Sequence, residues 1–260
     1  MDLHHPDDPR YDAQTQRRLD RRRLLRALNA SLVLVLAMIL VYSAQGSFDV
    51  ARFAVQPHSV EGLLGLLTAP LLHGSVEHIA ANSVALLMLG TLAGSVYPRA
   101  TLWSLPLLWL GSGLGAWFLG DPGSHHLGAS GVTHGLMFLV FVLGLLRRDH
   151  QAIATGMVAF LFYGGMLLTV LPHEPGISWQ SHLGGALAGV LAAILFRTLD
   201  PALPRKRNSW EDEEENLVPL DDELEPPALR EVPVLWDRTA EAEQRGVVLK
   251  FPPRDPTSPL

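Results

Sequence analysis

A serine between small residues is the first candidate for chemistry in this sequence. The tetrapeptide GASG, Gly128 to Gly131, places Ser130 where a loop is predicted to become a helix. Glycines allow tight turns and close approach of another chain, and the first amides of a helix are unpaired and carry partial positive charge. A negative oxygen forming beside Ser130 would be stabilised there, as nucleophilic catalysis requires. The alternative is an N-cap serine flanked by glycines that serve helix packing.

A histidine later in the chain is the candidate base. His182 is followed by Gly185 and Gly189, three and seven residues on, so all three share a helical face. Small residues four apart let a neighbouring helix approach closely. If that neighbour is the helix that begins near Ser130, the imidazole comes within reach of the hydroxyl and can activate it. The alternative is an interfacial histidine that faces water.

Two further histidines and an asparagine form a third polar group. The spacing His73-x4-His78-x3-Asn82 puts His78 and Asn82 on one helical face, while His73 precedes the helix. Amide and imidazole N–H groups are suitable donors to the oxyanion of acyl transfer. Two alternatives stay open: a polar cluster that only packs helices, and a metal site that also uses Glu77 and His182. The order Glu77-His78 lacks the H-E-x-x-H pattern of zinc peptidases.

Six apolar segments are predicted to position these groups. A membrane-spanning helix needs about 20 mostly apolar residues. Six stretches approach that length: Leu24–Ser43, Val76–Val96, Leu102–Leu119, Gly131–Leu146, Ala152–Leu171 and His182–Leu199. The polar groups fall at those ends of the second, fourth and sixth segments that share one side of the membrane, so they can meet in space. We therefore expect an all-α, polytopic membrane protein built as a six-helix bundle.

Basic residues indicate which side of the membrane each loop faces. Arginine and lysine concentrate before the first segment and after the second, fourth and sixth, whereas the alternate loops hold only Arg52. Positively charged loops favour the cytoplasm. Both termini are therefore expected to be cytoplasmic, in a multi-pass protein of a bacterial cytoplasmic (inner) membrane. The first segment could instead be a cleaved signal peptide, although its apolar run is longer than a usual signal core.

Composition divides the 260-residue chain into three regions. Residues 1–23 form a basic cytoplasmic leader, residues 24–200 the six-span domain, and residues 201–260 an acidic, proline-containing tail. Between residue 209 and the C-terminus there are 14 acidic and five basic residues, a composition typical of disordered chain. We interpret the tail as a solvated cytoplasmic segment whose short apolar stretches could dock on a cytoplasmic partner. The chain has no cysteine, which excludes disulfides, thiolate metal sites and a cysteine nucleophile.

Together the three polar groups resemble the rhomboid family of intramembrane serine proteases. The family pattern is His-x4-His-x3-Asn in the second span, Gly-x-Ser-Gly at the start of the fourth, and His-x2-Gly-x3-Gly in the sixth. Here these read HGSVEHIAAN from His73, GASG from Gly128 and HLGGALAG from His182. Each motif is weak alone, whereas their order, spacing and topology are hard to obtain together by chance. The resemblance covers the region from Leu24 to Leu199.

The resemblance implies a role for each polar residue. Ser130 is expected to be the nucleophile and His182 the general base and acid, working as a dyad without an aspartate. His73 and Asn82, together with the Ser130 backbone N–H, are expected to hold the oxyanion. His78 is expected to support the site and its water.

The resemblance also implies roles for several neighbours. Gly128 is expected to shape the loop before the serine, and Gly131 to adjoin it. Gly185 and Gly189 are expected to bring the sixth span against the fourth. His134 stands where the family often has a tyrosine that stacks on the catalytic histidine, and a histidine can also stack or form hydrogen bonds.

The expected function is hydrolysis of peptide bonds in or near the transmembrane segments of other membrane proteins. Its partners are then transmembrane protein substrates and the lipid bilayer, with no nucleic acid, no cofactor and no metal. A second hypothesis is an inactive rhomboid-like protein that binds membrane clients; such relatives usually lack the serine or the histidine, and this chain has both. A third is a small-solute transporter, for which an internal repeat or broken helices in matching halves would be typical; neither is seen in this sequence.

Overall fold

Six long apolar helices make up most of the chain. The computed structural model describes residues 13–172 and 176–200. Each helix is long and apolar enough to cross a bilayer. The six spans are Ala13–Ala44, Val76–Val96, Pro98–Leu119, Ser130–Arg147, His150–Val170 and Trp179–Phe196. The described residues form no β-strand, so the predicted all-α, six-helix membrane bundle is confirmed.

The bounds of most spans lie within four residues of the predicted segments, and the first and fifth spans differ most, in length and in helix type. Within the described residues the first helix extends back to Ala13, well before the apolar run, because arginine is a good helix former and a nucleated helix propagates readily. The fifth span is α-helical only over His150–Tyr163 and tightens to a 3₁₀ helix over Gly164–Val170. Two glycines open that stretch, and glycine disfavours continuation of an α-helix. This 3₁₀ segment packs against the sixth span.

The fourth span is the most buried of the six. Its side chains Leu136, Met137, Leu139 and Leu143 have no exposed surface. It packs against the second, third, fifth and sixth spans, whereas the other spans carry many large apolar side chains on exposed outer faces. In a bilayer such faces contact lipid. The central position of the fourth span places its first residue, Ser130, inside the bundle.

Glycines bring the sixth span against two neighbours at backbone distance. A side chain at Gly184 would collide with the carbonyl oxygen of Gly111 in the third span. A side chain at Gly185 would collide with the carbonyl oxygen of Gly131 in the fourth span, and Gly189 meets the fourth span in the same way one turn further on. Small residues at this spacing permit such close helix contacts. The sixth span therefore fits between the third and fourth spans.

The connection between the first and second spans is built of short helical turns. It contains several 3₁₀ turns and one turn of α-helix, Gly65–Thr68. Two tryptophans of the third span donate their indole N–H to it. Trp109 donates to the carbonyl of Leu67 at 3.0 Å, and Trp117 donates to the carbonyl of Ser59 at 2.9 Å. These bonds fix the connection against the third span.

At the end of the bundle away from Ser130, Asp200 joins the sixth span to the third. Its carboxylate accepts hydrogen bonds from the backbone amides of Arg99 at 3.1 Å and Ala100 at 2.8 Å. The third span has no side-chain cap from the preceding residue, and the first amides of a helix lack internal partners. Arg147, at the end of the fourth span, donates to the Asp200 carbonyl. Asp200 therefore caps a helix to which it does not belong.

Some sequence-based expectations fall on residues 1–12, 173–175 and 201–260, which lie outside the described residues. The acidic tail 201–260, its disorder and its cytoplasmic partner are among them. Much of the basic leader is also among them. The division of the chain into leader, six-span domain and tail stays a prediction.

Candidate active site

Ser130 is the first residue of the fourth span. Ala129 occupies the N-cap position, so Ser130 is not the N-cap serine that the packing interpretation required. The Ser130 Oγ atom instead lies 2.8 Å from Nε2 of His182. His182 is buried and Ser130 half-buried. Two residues that are far apart in the sequence are thus in hydrogen-bonding contact inside the bundle.

The other ring nitrogen of His182 determines where its proton lies. Nδ1 is 3.0 Å from the carbonyl oxygen of Thr169, an atom that only accepts hydrogen bonds. In the neutral ring the hydrogen therefore resides on Nδ1, and Nε2 keeps a lone pair toward Ser130. The Ser130 hydroxyl then donates to Nε2, which is the arrangement that general-base catalysis needs.

His134 stacks on His182. The two imidazoles are nearly parallel, at an interplanar angle of 14°, with ring centroids 3.8 Å apart. Nδ1 of His134 donates to the carbonyl oxygen of Ser130 at 2.7 Å, and Nε2 lies 2.8 Å from the hydroxyl of Thr169. His134 thus stacks as a tyrosine at this position would, and it also holds the backbone of Ser130.

Gly128 has a backbone conformation and surroundings that suit only glycine. Its φ is +113°, which side-chain-bearing residues rarely adopt. A Cβ atom at this position would lie 2.6 Å from the ring of His78. The Gly128 amide donates to the carbonyl of Ala69 at 2.9 Å. The loop before Ser130 is therefore fixed between the first connection and the second span.

The structure separates the two histidines at the start of the second span. His78 and Asn82 line the same cavity as Ser130. His73 is fully buried, is not part of the cavity wall, and packs edge-on against His78 with ring centroids 5.1 Å apart. The physical reason is helical periodicity, since His78 and Asn82 lie one turn apart on one face whereas His73 precedes the helix. Of these two histidines only His78 lines the cavity that contains Ser130, and the expected oxyanion role of His73 stays a prediction.

Gln45 holds the backbone of His73. The Gln45 side-chain amide donates to the His73 carbonyl at 2.8 Å and accepts from the His73 amide at 2.9 Å. The pKa of the His73 ring falls to about 4 because burial disfavours the charged form; repulsion from His78 adds to this, and the Leu71 carbonyl opposes it. His73 is therefore a neutral ring behind His78 at neutral pH.

A cavity of about 1090 Å³, lined by polar and apolar groups, contains the site. Ser130, His182, His78 and Asn82 form part of its wall. The loops before the fourth and sixth spans supply much of the rest: Asp121, Ser124, His125, His126, Leu127, Pro172, Gly176, Ile177 and Ser178. A cleft of this size can take a short length of peptide, and its polar wall can hold water within apolar surroundings.

The described residues offer no arrangement of three His, Asp or Glu side chains that could hold a metal ion. His73 and His78 are neighbours, but His182 faces Ser130 and Thr169 instead. The metal-site interpretation of these histidines therefore has no support in the geometry.

Comparison with known proteins decides the family. A family model described as Rhomboid domain matches residues 60–199, which is more than half of the chain. The chain belongs to the rhomboid family. With its six apolar helices, this rhomboid is an integral, multi-pass membrane protein.

Similar relatives of this rhomboid occur in mycobacteria. Uncharacterized proteins of Mycobacterium tuberculosis and Mycobacterium bovis are each 40% identical to it over 150 residues, which is 55% of this chain and 62% of the relative. The match thus spans less than two thirds of these relatives. An uncharacterized protein of Mycobacterium leprae is 33% identical over 187 residues, which is 67% of this chain and 74% of the relative. The names of these relatives state no activity.

His126, which sequence reasoning did not assign to the site, links two loops of this rhomboid. Its Nδ1 lies 2.6 Å from the hydroxyl of Ser178, and its Nε2 lies 2.9 Å from the hydroxyl of Ser124. Ser178 is the N-cap of the sixth span, which carries His182. Burial lowers the pKa of His126, nearby His125 adds to the effect, and Asp121 opposes it. The neutral ring thus ties the loop before Ser130 to the helix that carries His182.

Thr169 and Gln45 were also missed by the sequence reasoning. Thr169 contacts His182 through its backbone carbonyl. Every residue has such a carbonyl, so the residue type gives no signal. Gln45 contacts a residue 28 positions away, and no spacing rule connects the two. For His126 the adjacent pair His125-His126 in a short polar loop was the one available signal.

Proposed function

We propose that this rhomboid is an intramembrane serine endopeptidase with Ser130 and His182 as its catalytic dyad. The observation that carries the proposal is the 2.8 Å contact between Ser130 Oγ and His182 Nε2 in a polar cavity. A serine hydroxyl is a weak nucleophile alone, and an adjacent neutral imidazole activates it. The helices around the cavity are apolar, which is the setting expected for cleavage of membrane proteins.

In the first step, Nε2 of His182 takes the proton of the Ser130 hydroxyl while Oγ attacks the scissile carbonyl carbon. A tetrahedral intermediate forms, and its oxygen carries the negative charge. The imidazolium then gives the proton to the leaving amine, the C–N bond breaks, and an acyl-enzyme ester remains. Throughout this step the Thr169 carbonyl accepts from the Nδ1–H of His182, so the ring keeps its orientation.

Three N–H groups are proposed to stabilise the negative oxygen. One is the Ser130 backbone amide in the first turn of a helix, where amides are unpaired. Another is Nδ2 of Asn82, which has no hydrogen-bond partner among the described residues. The third belongs to His78, which lines the cavity with Asn82. The roles that the resemblance gave to His73 and His78 are exchanged in this proposal, with His73 supporting His78 from behind.

Water completes the reaction in the second step. A water molecule in the polar cavity gives a proton to Nε2 of His182 and attacks the ester carbon. The second tetrahedral intermediate collapses, Ser130 Oγ regains its proton from the imidazolium, and the carboxylic product leaves. The net reaction is hydrolysis of one peptide bond, and it uses no cofactor.

The substrates in this proposal are membrane proteins whose transmembrane segment unwinds at the cavity. Residues 121, 124–127, 176–180 and 182 contribute to the wall, and a peptide would contact them on the way to Ser130. The charge distribution favours cytoplasmic termini, so the cavity opens at the outer side of a bacterial inner membrane.

Labelling by a fluorophosphonate probe tests the proposal. The probe forms a covalent phosphonyl ester with an activated serine, so the wild-type protein in detergent micelles should be labelled and Ser130→Ala should not. Ser43→Ala is a matched control, because Ser43 is exposed and its hydroxyl bonds only within its own helix, to the Ile39 carbonyl. Ser43→Ala should be labelled at the wild-type rate.

The same experiment separates the protease from a non-cleaving client-binding protein. If the wild-type protein and Ser130→Ala are labelled equally weakly, the proposed protease activity is contradicted. That result would favour the client-binding hypothesis. Labelling of Ser130 should be accompanied by cleavage of a reconstituted single-span membrane protein, which His182→Ala should abolish.

A further inference from the structure

Thr169 contacts both imidazoles of the site. It lies in the 3₁₀ segment Gly164–Val170 that ends the fifth span. Its carbonyl oxygen lies 3.0 Å from Nδ1 of His182, and its hydroxyl lies 2.8 Å from Nε2 of His134. The hydroxyl is also 3.0 Å from the carbonyl of Met166. A single residue therefore reaches the base and the ring stacked on it.

The hydrogen bonds of His134 determine the donor at Thr169. Nδ1 of His134 faces the carbonyl of Ser130 at 2.7 Å, so Nδ1 carries the hydrogen. Nε2 of the neutral ring is then an acceptor, and the Thr169 hydroxyl, which also lies 3.0 Å from the Met166 carbonyl, is the donor that faces it at 2.8 Å. The side chain of Thr169 thereby holds His134 parallel to His182.

These contacts close a ring of hydrogen bonds around the dyad. Ser130 Oγ donates to His182, His182 donates to the Thr169 carbonyl, the Thr169 hydroxyl donates to His134, and His134 donates to the Ser130 carbonyl. In serine hydrolases with a triad, a carboxylate fixes the base in its productive tautomer, and here a neutral carbonyl stands in that place.

We propose that Thr169 is the positioning residue of the dyad. Its carbonyl selects the Nδ1–H tautomer of His182. Its hydroxyl, acting through His134, holds that carbonyl at a fixed position relative to the Ser130 backbone. This inference rests on the proposed function. Thr169 touches neither the reacting atoms nor the cavity wall, so its effect on chemistry is indirect.

A pair of near-isosteric variants tests the hydroxyl. Thr169→Val keeps the size and the backbone carbonyl but removes the hydroxyl, whereas Thr169→Ser keeps the hydroxyl. The measurement is the rate of fluorophosphonate labelling at several probe concentrations, which separates the maximal labelling rate from apparent probe affinity. Thr169→Val should lower the maximal rate about tenfold, the size of effect expected from one lost hydrogen bond. It should leave the probe affinity nearly unchanged, and Thr169→Ser should recover most of the rate.

Non-additivity tests the route through His134. His134→Phe keeps an aromatic ring for stacking but removes both hydrogen bonds. Combined with Thr169→Val, it should cost little more than either change alone, because both break the same chain of bonds. Fully additive losses would contradict the proposed route.

A tautomer measurement distinguishes this inference from the proposed function. Nitrogen-15 spectra of labelled histidine rings report which nitrogen carries the hydrogen, and His182→Ala assigns the His182 signals. The wild-type protein should show the Nδ1–H form of His182, and Thr169→Val should show a mixture of forms. If the wild-type protein were not labelled by the probe, the proposed protease activity would be contradicted. The spectrum would still decide whether Thr169 sets the tautomer of His182. Identical His182 spectra and labelling rates in wild type and Thr169→Val would overturn the inference.

Discussion

The imidazole of His134 lies parallel to that of His182, with ring centroids 3.8 Å apart. The resemblance to rhomboids led us to expect a stacking partner at this position, where a tyrosine is common. A histidine supplies the stacking surface and adds two hydrogen bonds, one to the Ser130 carbonyl and one to Thr169. His134 therefore links His182 to Ser130 through its own stacking and hydrogen bonds, besides the direct contact of Ser130 with His182.

The first prediction concerns the oxyanion. Asn82→Ala should slow fluorophosphonate labelling of Ser130 by about 10²–10³-fold, the loss expected when one donor to the oxyanion is removed. His78→Ala should also slow it, whereas His73→Phe should have a much smaller effect on the rate because His73 lies behind His78. A larger rate effect from His73→Phe than from His78→Ala would restore the assignment based on resemblance alone.

Gly128 offers a test of steric fit at the site. Gly128→Ala should slow labelling of Ser130 by about 10²-fold, the scale expected when reacting groups are displaced by about 1 Å. The added methyl group would lie 2.6 Å from the His78 ring. Gly123→Ala is the matched control, because Gly123 also has a positive φ, +83°, but has open space around it. Gly123→Ala should lose only about 1–2 kcal/mol of stability to backbone strain. Its thermal midpoint should therefore fall while its labelling rate is retained. Equal labelling losses in the two variants would indicate that strain, not the clash, matters.

The contact between the fourth and sixth spans can be tested with Gly185→Ala. The methyl group would collide with the Gly131 carbonyl and push the helix of His182 away from that of Ser130. We expect a loss of stability of about 1–3 kcal/mol from overpacking together with much slower labelling. Leu187→Ala, on the exposed face of the same span, should change labelling little. Thermal unfolding in micelles and labelling rates provide both readouts, and wild-type labelling by Gly185→Ala would contradict the expectation.

Asp200 should affect stability without affecting chemistry. Asp200→Ala leaves two amides of the third span without their acceptor, which should cost about 1–2 kcal/mol as for other helix caps. The thermal midpoint in micelles should fall, while the labelling rate of the folded protein stays at the wild-type value. Asp49→Ala, which removes a cap from a short exposed 3₁₀ turn, should lower the midpoint less. A slowed labelling rate in Asp200→Ala would show that this end of the bundle communicates with the site.

The buried His73 ring predicts a direction for the pH dependence of stability. Its pKa is about 4 in the folded protein and 6.5 without its surroundings. Between pH 6.5 and 4 the unfolded chain binds a proton at His73 that the folded chain does not, so the contribution of His73 to the free energy of unfolding falls as the pH falls through this window and levels off below it. His73→Phe should show a weaker decline over the same window when unfolding is followed in micelles. An unchanged pH dependence would mean that His73 is protonated in the folded protein.

The spans and the meeting of Ser130 with His182 could be predicted from the sequence because both rest on local patterns. Hydropathy gives the helices, and a glycine pattern gives the face that carries His182. The separate positions of His73 and His78 could not be predicted, since His73 lies before the helix and its direction is set by Gln45. The role of Thr169 could not be predicted, because tertiary packing brings its carbonyl to His182 and any residue type could supply that carbonyl.

The direct backbone contact of the sixth span with its neighbours should make their packing insensitive to the composition of the bilayer. Where main chains touch directly, as at Gly185 and Gly131, no layer of side chains lies between them to be repacked. The relative position of Ser130 and His182 is thus set by direct contact between the two main chains. The bulky side chains on the outer faces take no part in that contact. We therefore expect bilayers of altered thickness or composition to change the packing of the outer side chains while the contact between Ser130 and His182 is kept.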